Sequence, residues 1–395
     1  MGHFFDHFFV LIFATSAALI LTIEWGIDYA VLIPFATPGF VAFGLCSIPA
    51  GWLADRWSRD GMMVIFFLGI GASSALAGVA NGPMQIAGAL IFVGVFASIY
   101  HPVGLAMVVE GRSQTGIPLA INGVFGNLGV ACAALVTGFL IDTWGWRSAF
   151  IIPGLFSIVV GISYWWFCFS GWRSNGNKPE VVETFKETCG NSTASNTKTN
   201  IALVFGVVLV TTAIGGFVFQ STTFSLPKIL NERLPDLAGT ATSVGWYAFL
   251  VFSFAALSQL VVGYLIDRYS IRTVFLCIAL LQALFFFMMI SLVGFSALVV
   301  AIGFMLVVFG QIPINDVLVG RIATNEWRSR AYALRSVVTF TVMATTLPLI
   351  GWIYGMNGFS VIFSLLSAAA LLMFFIILVL PKSDNAIQRS RILNA

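Results

Sequence analysis

Apolar stretches about 20 residues long, each closed by a few polar ones, follow one another along almost the whole of this chain. A helix of that length just crosses the hydrocarbon core of a bilayer, where no water is present to satisfy exposed peptide groups. The stretches show no alternation of period two, so helices rather than a barrel are the expected spanning elements. With 59% of its residues hydrophobic and 9% charged, the chain has too little polar surface to cover a water-soluble body. Spans are expected near 4–23, 29–53, 62–80, 83–108, 116–141 and 146–169, then near 201–224, 240–266, 273–293, 295–319, 331–354 and 358–380. The fold class is an all-α membrane protein with twelve transmembrane helices.

Residues 171–200 interrupt this pattern with Ser, Asn, Thr, Lys and Glu and read as a polar linker between a first half, 1–170, and a second, 201–381, with a tail at 382–395. Basic residues mark cytoplasmic loops. Placing the N-terminus inside puts sixteen of the 19 Lys and Arg on the cytoplasmic side and leaves Arg147, Lys228 and Arg233 on the other. Both termini and the linker are therefore expected in the cytoplasm, and a bacterial inner membrane is the expected location. A net charge of +3 without a basic run gives no nucleic-acid face. Five scattered cysteines without a CxxC pair indicate neither a metal site nor a disulfide framework.

The charged stretch Gly51-Trp52-Leu53-Ala54-Asp55-Arg56-Trp57-Ser58-Arg59 returns as Gly263-Tyr264-Leu265-Ile266-Asp267-Arg268-Tyr269-Ser270-Ile271-Arg272, 263 − 51 = 212 positions later. Gly138-Phe139-Leu140 returns as Gly351-Trp352-Ile353, and Arg112-Ser113 as Arg328-Ser329. Two homologous six-helix halves follow. The doubled hinge after spans two and eight, with Trp144-Gly145-Trp146-Arg147 between spans five and six, resembles the major facilitator superfamily of secondary transporters over the whole chain. More narrowly, His3-Phe4-Phe5-Asp6 and Tyr100-His101-Pro102 are similar to the fosmidomycin-resistance exporters.

The resemblance implies that Asp55 meets the start of span eleven, where Arg330 and Arg335 stand, and that Asp267 faces the start of span five. Gly51, Asp55, Arg56, Arg59, Gly263, Asp267, Arg268 and Arg335 are thus the expected gating set; the plain alternative is loop charges that only obey the positive-inside rule. A charge at the bilayer centre costs roughly 2.5–3.5 kcal/mol, so those kept inside spans are informative. His3, Asp6 and His7 share one helix face at i, i+3 and i+4. His101 in span four and Asn315 and Asp316 in span ten correspond across the repeat, with Gln311 a turn earlier. The resemblance places spans one, four, seven and ten around a central cavity.

Histidine titrates near pH 6.5 and a desolvated carboxylate rises toward it, so Asp6, His7, His101 and Asp316 are candidate proton carriers. Gln220, Asn122 and Asn127 are candidate substrate contacts. Structural readings stand beside these. His101 could repair the helix break made by Pro102, Asp6 and His7 could lie in the interface, Asp316 could pair with Arg321, and the amides could join helices.

The expected function is proton-coupled secondary transport of a small organic solute by one chain, driven by an ion gradient without a cofactor, with lipid as its surroundings. Export is favoured by the narrower resemblance, and symport of an organic anion is the alternative. A membrane-embedded transferase lacks its DxxxD carboxylates, and a sensor would carry an added soluble domain.

Overall fold

The computed structural model describes residues 1–111, 116–170, 201–322 and 328–380. The expected linker, the tail, and Arg112, Arg173, Lys178 and Cys189 lie outside them. Ten helices cross in order: α1 Gly2–Trp25, α2 Tyr29–Arg56, α3 Arg59–Gly78, α4 Pro83–Val109, α5 Gly116–Trp144, α6 Trp146–Phe169, α7 Ile201–Arg233, α8 Ala241–Arg268, α9 Ile271–Met289 and α10 Gly294–Val319. The last helical run, Arg328–Ile377, contains 50 residues, far more than one crossing needs. It leaves helical geometry at Asn357 and Gly358, where Gly358 takes φ 65°, a region only glycine enters freely. It therefore holds two spans, α11 (328–356) and α12 (359–377), and twelve crossings result.

The hinge read as a loop is almost wholly helical. Gly51 to Arg56 close α2, and Arg59 opens α3 after a turn at Trp57 and Ser58. Ser58 caps α3 by accepting the Gly61 N–H at 3.0 Å. Arg147, just inside α6, donates to the carbonyls of Gly78 and Ala80 at the end of α3, which gives the Trp-Gly-Trp-Arg element a packing task. The carbonyl oxygen of Gly39 in α2 lies where a Cβ on Gly94 of α4 would be, so those helices cross backbone to backbone.

Both halves interrupt their fourth helix. The helix α4 breaks at Ser98 and Ile99, and α10 at Gln311. Pro102 and Pro313 follow the breaks, and 313 − 102 = 211 matches the repeat offset. A proline lacks the N–H that would reach back four residues, and its ring clashes there. The first helix also carries an irregular π turn at Ala17–Leu21.

The ends of α2, α4 and α8 and the start of α1 lie at one end of the bundle, here called proximal; the starts of α2 and α8 lie at the distal end. At the distal end the halves are joined. Ala241 of α8 sits on Gly138 of α5, and Ala30 of α2 sits on Gly351 of α11, each through its carbonyl oxygen. The duplicated glycine of the sequence thus makes the same crossing twice. Nearer the middle, Phe43 of α2 meets Phe340 of α11 with ring centroids 5.3 Å apart.

Candidate functional site

The first two turns of α1, the break in α4 and one turn of α5 converge in the first half. Asp6 is 1% exposed, and its Oδ2 lies 3.2 Å from Nε2 of His101, which is part-exposed. The other carboxylate oxygen, Oδ1, has no hydrogen-bond partner among the described residues. His101 reaches Asp6 because the Pro102 break turns α4 at that level.

The remaining imidazoles form a directed chain. His3 Nδ1 lies 2.7 Å from the backbone carbonyl of Asn122, which can only accept, so Nδ1 carries the hydrogen. In neutral His3 the Nε2 lone pair then faces His7 Nε2 at 3.1 Å, so His7 donates. Tyr100 donates its hydroxyl to the Asn122 side chain at 2.5 Å and stacks on His3 with centroids 5.0 Å apart. The cluster ties α1, α4 and α5 together.

The nitrogens of His3, His7 and His101 lie within 4.8 Å of one another, close enough for a transition metal to gather. They are already engaged with Asn122, with each other and with Asp6, contacts that a metal would have to replace.

Phe43 bounds the site toward the other half, with its ring 5.9 Å from that of His101 and against Phe340. Behind it lies an apolar void of about 20 Å³ lined by Val10, Phe13, Phe40 and Phe43, room for one water and no polar group to hold it. The carboxylate therefore has a dry wall on one side and the half-buried imidazoles on the other.

Asp6, His7, His101 and Asn122 are thus brought together, while the other expected residues are not. In the second half, Gln311 bonds Gln282 of α9 at 2.8 Å, and Asn315 accepts from Thr211 of α7 at 3.3 Å. Both are at most 5% exposed and face their own half rather than His101. Asp316 pairs with Arg335 of α11; the side chain of Arg321, the sequence alternative, lies outside the described residues. Gln220 is buried with its Nε2 unpartnered, and Asn127 is half-buried on α5.

At the proximal gate, Asp55 bonds Arg59 at 3.1 Å within its own half, and Arg59 also reaches Glu110 at 3.4 Å. The expected Asp55–Arg335 contact is therefore not made in this conformation. Asp267 and Arg268 are exposed, Arg268 lying over Tyr264, and Arg56 lies over Trp52. Gly51 packs near Pro102, whereas Gly263 has open space around its missing side chain.

Tyr100 and Asp142 were not singled out in the sequence. The first had a signal, adjacency to His101; the second had none, because its partner is 100 positions away.

The family model described as Major Facilitator Superfamily matches residues 1–235 and 234–393. Among curated proteins, the 4-hydroxybenzoate transporter PcaK of Pseudomonas aeruginosa is 26% identical over 144 residues, 36% of this chain and 32% of that protein. The gallate transporter of Pseudomonas putida is 24% identical over 164 residues, 41% of this chain and 36% of that protein. The matches therefore span about a third of each relative's length. Among solved structures, the xylose transporter XylE from E. coli in an inward open conformation superposes with a TM-score of 0.72 at 14% identity, covering 97% of this chain and 95% of that one.

Proposed function

The chain belongs to the Major Facilitator Superfamily, and on that footing we propose that it moves a small organic anion together with protons, with Asp6 and His101 as the coupling pair. Secondary transport across the membrane follows from the family. One observation carries it: a carboxylate 1% exposed inside a span, with one oxygen on an imidazole and the other unpartnered. A buried acceptor left without a donor is costly, and binding a proton relieves that cost.

An anion supports the same reading. Two relatives are named for hydroxylated aromatic acids, which makes aromatic carboxylates the first class to try. The distal end is closed by the glycine crossings, so the site is offered to the proximal side, which the positive-inside rule favours as the cytoplasmic one. Each chain carries a complete site, so a monomer is the transport unit.

The test is flux in proteoliposomes of known orientation with an imposed pH gradient and 4-hydroxybenzoate as the probe. Solute and protons entering together support symport. Solute moving against the protons would overturn it in favour of antiport and export.

A further inference from the structure

We infer that Asp142 is the latch of the distal gate, a carboxylate supplied by the first half that holds the second half shut and lets go once in each transport cycle. Asp142 lies on the last turn of α5. Its carboxylate accepts the backbone N–H of Ala241 at 3.3 Å, the backbone N–H of Thr242 at 2.7 Å and the Thr242 hydroxyl at 2.6 Å. Those amides open α8, so the negative group sits on the positive end of a 28-residue helix belonging to the other half. The Thr242 hydroxyl also lies 3.5 Å from the Gly138 carbonyl. Each of these bonds joins the first half to the second.

The contact is not needed to start α8. Thr240 already caps that helix, taking the Ser243 N–H at 3.1 Å, while the Ser243 hydroxyl takes the Thr240 N–H at 3.0 Å. The amides that this box leaves over are those that Asp142 takes. When the halves part, water can satisfy them and α8 keeps its own cap. The bond is thus built to be broken without unfolding either helix.

The repeat sharpens the assignment. The crossing of Gly138 on Ala241 is copied as Gly351 on Ala30, with 351 − 138 = 213 and 241 − 30 = 211. In the copy, no carboxylate from across the seam takes an amide of α2 among the described residues. The position 213 after Asp142 is Gly355, and the Ala30 N–H is taken at 2.7 Å by Asp28 of its own half. That second seam closes instead through Tyr29 against Tyr354, centroids 5.2 Å apart, and Lys228 over Tyr29. Among the described residues, only the seam at Gly138 thus sets a carboxylate of one half on the helix start of the other.

The test needs neither solute nor proton gradient, so it fails or succeeds apart from the coupling reading. In a background with the five cysteines replaced by alanine, Ala134→Cys places a thiol in the seam, where Ala134 is 2% exposed and its carbonyl lies under Gly245. A membrane-impermeant maleimide is applied from the distal side. Asp142→Ala should raise the labelling rate about tenfold and Asp142→Asn, which keeps one acceptor, by a smaller factor. A control thiol at Ala77→Cys, buried in α3, should react at an unchanged rate in all three proteins. Equal labelling of Ala134→Cys with and without Asp142 would overturn the latch. So would faster labelling at both thiols, because that is general loosening rather than opening of one gate.

Discussion

Replacing Asp6 by asparagine separates proton coupling from transport. The amide has nearly the shape of the carboxylate and can still accept from His101, so packing around a residue 1% exposed is kept. What it cannot do is take up a proton. On the proposed coupling, one Asp6–His101 pair carries one proton per cycle, and each pH unit across the membrane is worth about 1.36 kcal/mol per proton, a factor of about ten in concentration. In proteoliposomes with one pH unit imposed, the parent should accumulate 4-hydroxybenzoate about tenfold at one proton per solute, after subtraction of entry into protein-free vesicles. If the His3–His7 pair moves a second proton, the figure is about a hundredfold. Asp6→Asn should bring the ratio close to unity while exchange of labelled for unlabelled solute, which requires no net proton movement, stays within a few-fold of the parent. A variant that still accumulates solute tenfold refutes the assignment. Loss of exchange as well, with unfolding temperature unchanged, would move Asp6 from coupling to solute binding.

Other expectations follow from the same contacts. His101→Ala leaves the buried Asp6 carboxylate without its partner; breaking a buried pair costs about 3–5 kcal/mol and an exposed one under about 1, so with His101 a third exposed a loss of about 2 kcal/mol is expected in thermal unfolding, and Asp6→Asn in the same chain should restore most of it. Asp55→Asn should leave the unfolding temperature unchanged, since Asp55 is 69% exposed and bonded only to Arg59 among the described residues, but should slow transport if Asp55 closes the proximal gate in the opposite state; an unchanged rate removes that role. Gly94→Val drives a side chain onto the Gly39 carbonyl and should cost about 1–3 kcal/mol or the folded protein itself, whereas Gly88→Ala on the same helix meets nothing within 4 Å and should stabilise by about 0.5–1 kcal/mol; similar folded yields for both in detergent would contradict the α2–α4 crossing.

The sequence by itself determined the twelve crossings, the two halves and the position of the break in α4. Lipid allows few alternatives: each span must be apolar and helical for about 20 residues, duplication shows as repeated polar punctuation, and Pro102 cannot donate the bond that would keep α4 straight. It also brought Asp6 and His7 to notice, because an ionisable group inside a span is conspicuous.

Only the tertiary structure decided which groups meet. Rotation of a helix about its axis is set by its neighbours, and in lipid the apolar faces toward lipid and toward protein look alike in sequence. Gln311 and Asn315 therefore turned into their own half, Asp316 met Arg335 of α11, and Asp55 stayed with Arg59. Asp142, unremarkable at a helix end, became the residue that joins the halves, because the glycine crossing at Gly138 brings the start of α8 within reach of its carboxylate.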